Sequence, residues 1–184
     1  TPEASAPGSG SVAHPPPARR SVWTTREKAV RVLWGTIGRL CWAIAPGARP
    51  ALLRLFGGRV GANCRLARSV QIAIPWNVRL GSGVRVGERV ILYGLGPITI
   101  GDGSVLDYRA HICAGTHDMT DSRFPLIKPP ITIGARCFIG IDAYIGPDVV
   151  LGDDSRVWPR ASVYRSFPAG SSLRGNPAKA ESGA

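Results

Sequence analysis

The C-terminal two thirds of the chain repeats every six residues. Ile133, Ile139, Ile145, Leu151, Val157 and Val163 are all aliphatic, and glycine follows the first four, at Gly134, Gly140, Gly146 and Gly152. An α-helix repeats near 3.6 residues and a strand near 2, so neither produces a period of six. A hexapeptide period marks a parallel β-helix, in which short strands and tight turns wind around a prism and the aliphatic residue points inward. Two-residue insertions at coil ends extend the ladder back through Val60, Leu66, Ile72, Leu80, Val86, Leu92, Ile100, Leu106 and Ile112. The fifth position of the hexapeptides is mostly small, as at Ser104, Ala110, Thr116, Ala143, Ser155 and Ala161, which suits a tight corner. Three hexapeptides close one triangular coil, and about five coils stacked at ~4.8 Å make a rod roughly 25 Å long. The period itself leaves handedness open, because ordinary parallel crossovers are right-handed.

The 184 residues divide by composition. Residues 1–18 are rich in Pro, Ala and Ser and read as a disordered tail. Residues 19–58 form a basic lead-in, 59–168 the hexapeptide prism, and 169–184 a C-terminal segment. The formal charge of +11 is concentrated early, with nine Arg or Lys and one Glu between residues 19 and 59. Within the lead-in, residues 21–45 read as an amphipathic helix with Val30, Leu33, Trp34, Ile37, Cys41 and Ile44 on one face. That face can cap the open end of the solenoid or lie on a membrane surface. Arg31 and Arg39 interrupt the longest apolar stretch, which is too short to span a bilayer. The expected location is cytoplasmic, with peripheral contact on the inner membrane face through residues 19–56. No nucleic-acid reader fold accompanies the basic segment, so nucleic acid is not an expected partner. Cys41, Cys64, Cys113 and Cys137 are widely spaced without a CxxC pair. They read as small packing residues in a reducing compartment rather than as disulfides or a zinc site.

The ladder breaks once. After Ile112 the next hexapeptide ends at His117, yet the phase resumes only at Ile133, so residues 118–132 form an expelled loop. Solenoids often place such insertions on their binding face. Of three histidines, His14 lies in the tail, while His111 and His117 belong to the coil that carries the loop.

Gly115-Thr116-His117-Asp118, the loop, Ile133-Gly134 and Gly175-Asn176-Pro177-Ala178-Lys179 together resemble the hexapeptide-repeat acyltransferases. Tyr93-Gly94-Leu95-Gly96-Pro97-Ile98 and the Trp- and Arg-rich lead-in resemble the colanic-acid-type polysaccharide acetyltransferases within them. The resemblance spans roughly residues 20–179. It implies a left-handed β-helix, a homotrimer with active sites between subunits, acetyl-CoA as donor and a sugar hydroxyl, as of an exopolysaccharide or its precursor, as acceptor. It implies His117 as the catalytic base. A hydroxyl is a poor nucleophile near pH 7, and an imidazole of ordinary pKa ~6.5 suits both taking its proton and returning one to the departing thiolate. The second ring nitrogen needs an orienting acceptor, a backbone carbonyl or Asp118. His111, Tyr93 and Asp121 are candidates for the acceptor pocket, with Asp118 and Asp121 equally readable as turn residues. Phe138, Ala143, Ala161, Arg165, Arg174 and Lys179 are candidates for holding the coenzyme, the cations through its phosphates. Relatives carry a loop Glu where this chain has Leu126-Ile127-Lys128, and Thr-Lys where it has Arg165-Ser166.

Two other functions fit a hexapeptide prism. A γ-type carbonic anhydrase would hold zinc with three histidines, but only two lie in the folded region, so no metal is expected. A non-enzymatic trimeric scaffold or membrane-surface module is the other alternative.

Overall fold

The computed structural model describes residues 23–181. The proline-rich tail, with His14, lies outside them. From Arg59 onward the chain winds as a three-sided parallel β-helix. Its first face stacks Arg59–Val60, Val78–Leu80, Ile98–Ile100, Ile131–Ile133 and Val150–Leu151. The second stacks Arg65–Leu66, Arg85–Val86, Val105–Leu106, Phe138–Ile139, Arg156–Val157 and Ser172–Arg174. The third stacks Gln71–Ile72, Ile91–Tyr93, His111–Cys113, Tyr144–Ile145 and Ser162–Val163. Five turns are complete, and Phe167, bridged to Leu151, starts a partial sixth. Lys179–Ala180 then folds back antiparallel onto Ser172–Arg174.

The register follows the ladder read from the sequence. Val60 pairs with Leu80, Leu80 with Ile100, Ile100 with Ile133 and Ile133 with Leu151. The other two faces align their aliphatic residues in the same way. Fourteen of the fifteen ladder residues are buried and form the axis of the core, with Val60 at the first coil only half-buried. Where glycine follows the aliphatic residue, it has a steric cause. A Cβ on Gly152 would lie 2.3 Å from the Ala169 nitrogen of the next coil, and one on Gly134 would lie 2.6 Å from that of Asp153. Corners also carry a left-handed residue at the fourth position of most hexapeptides, including Asn63, Arg89, Arg109, Arg136, Asp142, Asp148, Asp154 and Arg160. A turn needing positive φ at its third residue explains that recurrence.

The lead-in caps the open end of the prism. It comprises α1 (Thr25–Leu33), a π-helical turn (Trp34–Gly38), α2 (Arg39–Ile44) and α3 (Arg49–Leu55). Thr24 and Glu27 start α1 with a capping box. Carbonyls on the outer edge of the first coil have no preceding coil to pair with, and buried carbonyls require donors. Side chains of the cap supply them. Arg54 Nε and Nη2 donate to the Val60 and Gly61 carbonyls, both at 2.9 Å. Arg49 Nη1 donates to Leu66 at 2.9 Å, Trp42 Nε1 to Arg68 at 3.1 Å and Trp34 Nε1 to Ile72 at 2.9 Å. This accounts for Trp34, Trp42, Arg49 and Arg54 of the segment.

The apolar face expected for this helix is only partly the one that packs. Trp34, Gly38 and Trp42 are buried, whereas Leu33, Ile37 and Ile44 are exposed and Val30 and Cys41 are half-buried. The π turn shifts the helical period, so residues four apart (34, 38 and 42) stay aligned, which a 3.6-residue reading does not anticipate. Gly38 is needed there, because a Cβ would stand 2.8 Å from the Trp34 ring and 3.3 Å from Phe56. Among the described residues no helix is long and apolar enough to cross a membrane. All four cysteines are unpaired, with Cys137 buried and the others half-buried.

Candidate active site

The interrupted coil leaves the third face at Cys113 and becomes a hairpin. Thr116–His117 pairs antiparallel with Leu126–Ile127, setting Thr116 opposite Ile127 and His117 opposite Leu126. The 15-residue break is thus a built extension with its own ladder. At its tip, Asp121 accepts from the Arg123 backbone N–H at 2.9 Å and forms a two-point ion pair with the Arg123 guanidinium, at 3.1 Å and 2.8 Å. Phe124 follows at φ 47°, its N–H donating to the Asp121 carbonyl at 2.9 Å. This turn aims the Phe124 carbonyl back at the histidine. His117 Nδ1 lies 2.7 Å from that oxygen.

The contact defines the tautomer. A carbonyl oxygen only accepts, so Nδ1 carries the hydrogen and the neutral ring presents its lone pair at Nε2. The orienting acceptor is the backbone carbonyl rather than Asp118. The Asp118 carboxylate takes hydrogen bonds from the Thr120 hydroxyl at 2.6 Å and the Thr120 N–H at 2.9 Å. Those two bonds hold its carboxyl below the usual carboxylate range. The Arg123 guanidinium does the same for Asp121. Both acids are ionised turn builders in the geometry of the hairpin.

The coil below supports the hairpin through the Tyr93–Pro97 corner. Gly96 N–H donates to the Ala114 carbonyl at 2.6 Å, and Ile131 N–H donates to Pro97 at 2.8 Å. Asn77 Nδ2 donates to both the Gly94 and Leu95 carbonyls at 2.9 Å. Tyr93 is exposed and pairs in register with Cys113, one coil beneath the start of the hairpin.

His111 occupies the third face of the same coil. Its ring meets Tyr144 edge-on at 5.5 Å, and its buried Nε2 finds no hydrogen-bond partner among the described residues. Burial keeps its pKa below the ordinary histidine value. Burial, with a hydrogen bond to Cys113, pushes the Tyr144 phenol up.

The candidates for holding a coenzyme separate into three groups. Phe138, Arg174 and Lys179 lie on the second face, with Arg174 stacked 4.5 Å over Trp158 and paired with Glu181 at 3.0 Å. Trp158, 41% exposed, and Ile141, 40% exposed, extend this apolar strip. Arg165 lies at the corner between the third and first faces, over the Phe167 ring at 4.9 Å. Ala143 and Ala161 have fully buried side chains, and their N–H groups already donate to Gly140 and Trp158, both at 3.1 Å. Neither therefore offers a side chain or an unpaired N–H to a ligand. In a triangular prism the corner carrying His117 lies opposite the second face, so one chain alone does not bring the two sets together. Among the described residues no group of three or more His, Cys, Asp or Glu is placed to hold a metal ion.

No motif in the sequence marks Phe124 or Trp158. Phe124 acts through its backbone, which no side-chain motif reports, although Asp121-x-Arg123 is a legible turn signal.

Residues 130–165 match the family described as bacterial transferase hexapeptide (six repeats). The chain is 40% identical over 155 residues to WcaF of Escherichia coli strain K12, whose name assigns it to colanic acid biosynthesis as an acetyltransferase. That match covers 82% of this chain and 85% of the relative. A hexapeptide-repeat acetyltransferase from Vibrio cholerae shares the fold at a TM-score of 0.80 and 23% identity, over 86% of this chain and 93% of that one. A galactoside acetyltransferase in complex with coenzyme A superposes at a TM-score of 0.71 and 18% identity, over 88% and 84% of the two chains. The shared fold is the left-handed parallel β-helix.

Proposed function

Since the chain belongs to the hexapeptide-repeat acetyltransferases, we propose that it moves an acetyl group from acetyl-CoA to a sugar hydroxyl, of an exopolysaccharide or its precursor, with His117 as general base. The observation that carries this reading is the 2.7 Å contact between His117 Nδ1 and the Phe124 carbonyl. It leaves Nε2 as the basic nitrogen on an exposed ring at the mouth of the hairpin. Nε2 takes the proton of the attacking hydroxyl as the new C–O bond forms at the thioester carbonyl. The resulting imidazolium is held by the same carbonyl and returns the proton to the thiolate as the C–S bond breaks. A fixed, correctly tautomerised ring contributes through orientation as well as basicity.

The second face suits the donor. Phe138, Ile141 and Trp158 form an exposed apolar strip for an acyl-pantetheine arm, and Arg174 and Lys179 sit beside it for phosphates. Its position opposite the His117 corner favours a trimer in which His117 of one subunit meets the second face of its neighbour. Tyr93 and His111 are assigned to acceptor positioning, and Asp121 to the same task through the turn that its bonds to Arg123 build. Asp118 is assigned to hairpin geometry.

The test is thiol release from acetyl-CoA with candidate glycans, comparing wild type with His117→Ala. A loss of ~10²- to 10⁴-fold in kcat is expected. Equal rates would refute the role of His117. Sedimentation equilibrium checks the trimer, and a monomer at assay concentration would remove the shared site.

A further inference from the structure

The cap uses one apolar face and leaves another uncovered. Trp34 and Trp42 close the prism, yet Val32, Leu33, Ile37, Leu40 and Ile44 on the same helical run are 46–71% exposed. Leu55 of α3 is 79% exposed. Between α1 and α3 lies a groove of about 580 Å³ whose lining includes Leu33, Leu55, Phe56 and Trp76. Leu33 belongs to both the groove and the stripe. An apolar surface of this kind on a soluble prism marks an interaction site.

Its surroundings are cationic. Arg26, Lys28, Arg31 and Arg39 are exposed on the same helical run. On the first two coils, arginines stack on arginines. Arg59 pairs in register with Arg79 on the first face, and Arg65 with Arg85 on the second. Among the described residues none of these four makes an ion pair. Like charges set side by side across a strand pair destabilise it, and an anionic partner would relieve the repulsion.

We propose that the N-terminal end of the prism docks on an anionic lipid bilayer, with the Ile37–Leu40 side of the cap seated among the acyl chains and the arginines of the cap and first two coils meeting phosphate headgroups. The combination of an exposed apolar helix face with flanking Lys and Arg is that of an interfacial helix. A second copy fits this face poorly, because it would bring the same positive charge against itself. Docking is peripheral, as no described helix can span a bilayer. The hairpin coil is two coils above the first, so docking would hold His117 on the order of 10 Å beyond the capped end. The inference does not depend on acetyl transfer.

Flotation of the full chain with vesicles tests it. The chain should bind phosphatidylcholine vesicles doped with phosphatidylglycerol at least about tenfold better than phosphatidylcholine alone, and added salt should erase the difference. The double variant Ile37→Glu/Leu40→Glu changes only exposed side chains, so it should keep the wild-type thermal melt while losing vesicle binding. Arg79→Glu/Arg85→Glu should weaken binding to anionic vesicles about tenfold or more. Failure of the wild type to float, or unchanged flotation of both variants, overturns the proposal. So does a loss of self-association in Ile37→Glu/Leu40→Glu without vesicle binding, which would assign the face to a second copy.

Discussion

Replacing Gly96 with alanine should separate the placement of the 116–127 hairpin from the stability of the prism. A Cβ at this position would lie 2.4 Å from the Lys128 carbonyl oxygen and 2.5 Å from that of Pro129. Carbon–oxygen contacts below ~3.0 Å are repulsive, so the Lys128–Pro129 backbone must withdraw by about 0.6 Å. That backbone continues directly into Leu126–Ile127, the strand that holds Thr116–His117. Carried through to Phe124, the shift would lengthen its 2.7 Å contact with His117 to about 3.3 Å, beyond a good hydrogen bond. Misplacing a reacting group by ~1 Å costs ~10²-fold, so a shift of this size predicts a fall in kcat of about 10- to 30-fold. The aliphatic ladder is untouched, and the melting temperature should fall by no more than about 4 °C. Gly94→Ala is the control, since its Cβ would meet nothing closer than the Ile98 side chain at 3.4 Å. Thiol release from acetyl-CoA reads the rate, and a thermal melt reads the fold. A wild-type kcat in Gly96→Ala, or an equal loss in Gly94→Ala, would refute the coupling of this corner to the histidine.

Arg49→Met keeps the buried aliphatic stem but strips donors from the Trp42 and Leu66 carbonyls, each now bonded at 2.9 Å. It should destabilise the chain by about 2–4 kcal/mol, measured by urea denaturation. A change below about 0.5 kcal/mol would mean that water replaces these bonds. His111 should make stability depend on pH. Its folded pKa is depressed by burial, so the unfolded chain binds the proton more readily. The stability it contributes is complete above the unfolded value, ~6.5, and is lost as pH falls through that value toward the lower folded one. His111→Phe should therefore flatten the drop in melting temperature between neutral and mildly acidic buffer, and an unchanged drop would assign it to other groups.

The ladder was legible because in-and-out alternation is a local property that repeats. Every coil meets the same demand for an aliphatic residue at the axis, and that residue type recurs six places on whatever its neighbours are. The interruption after His117 was legible for the same reason, as a failure of phase. The apolar face of the lead-in helix was misread because a π turn altered the period that the reading assumed. A backbone carbonyl was one of two orienting partners open for His117, but which carbonyl was not legible, because it lies seven residues away and is brought back by a turn. Asp118 is adjacent in sequence and of suitable chemistry, yet its carboxylate satisfies Thr120 instead.

The sequence by itself therefore determined the prism, the register of its fifteen inward residues and the coil from which the hairpin leaves. Tertiary structure alone decided how the first coil's open carbonyls are satisfied, which helix face is left to solvent, and which nitrogen of His117 is basic. It also set Phe138, Arg174 and Lys179 on the face opposite the histidine. The physical reason is range. Burial patterns are written residue by residue along the chain, whereas hydrogen-bond partners and opposed faces depend on where distant segments come to rest.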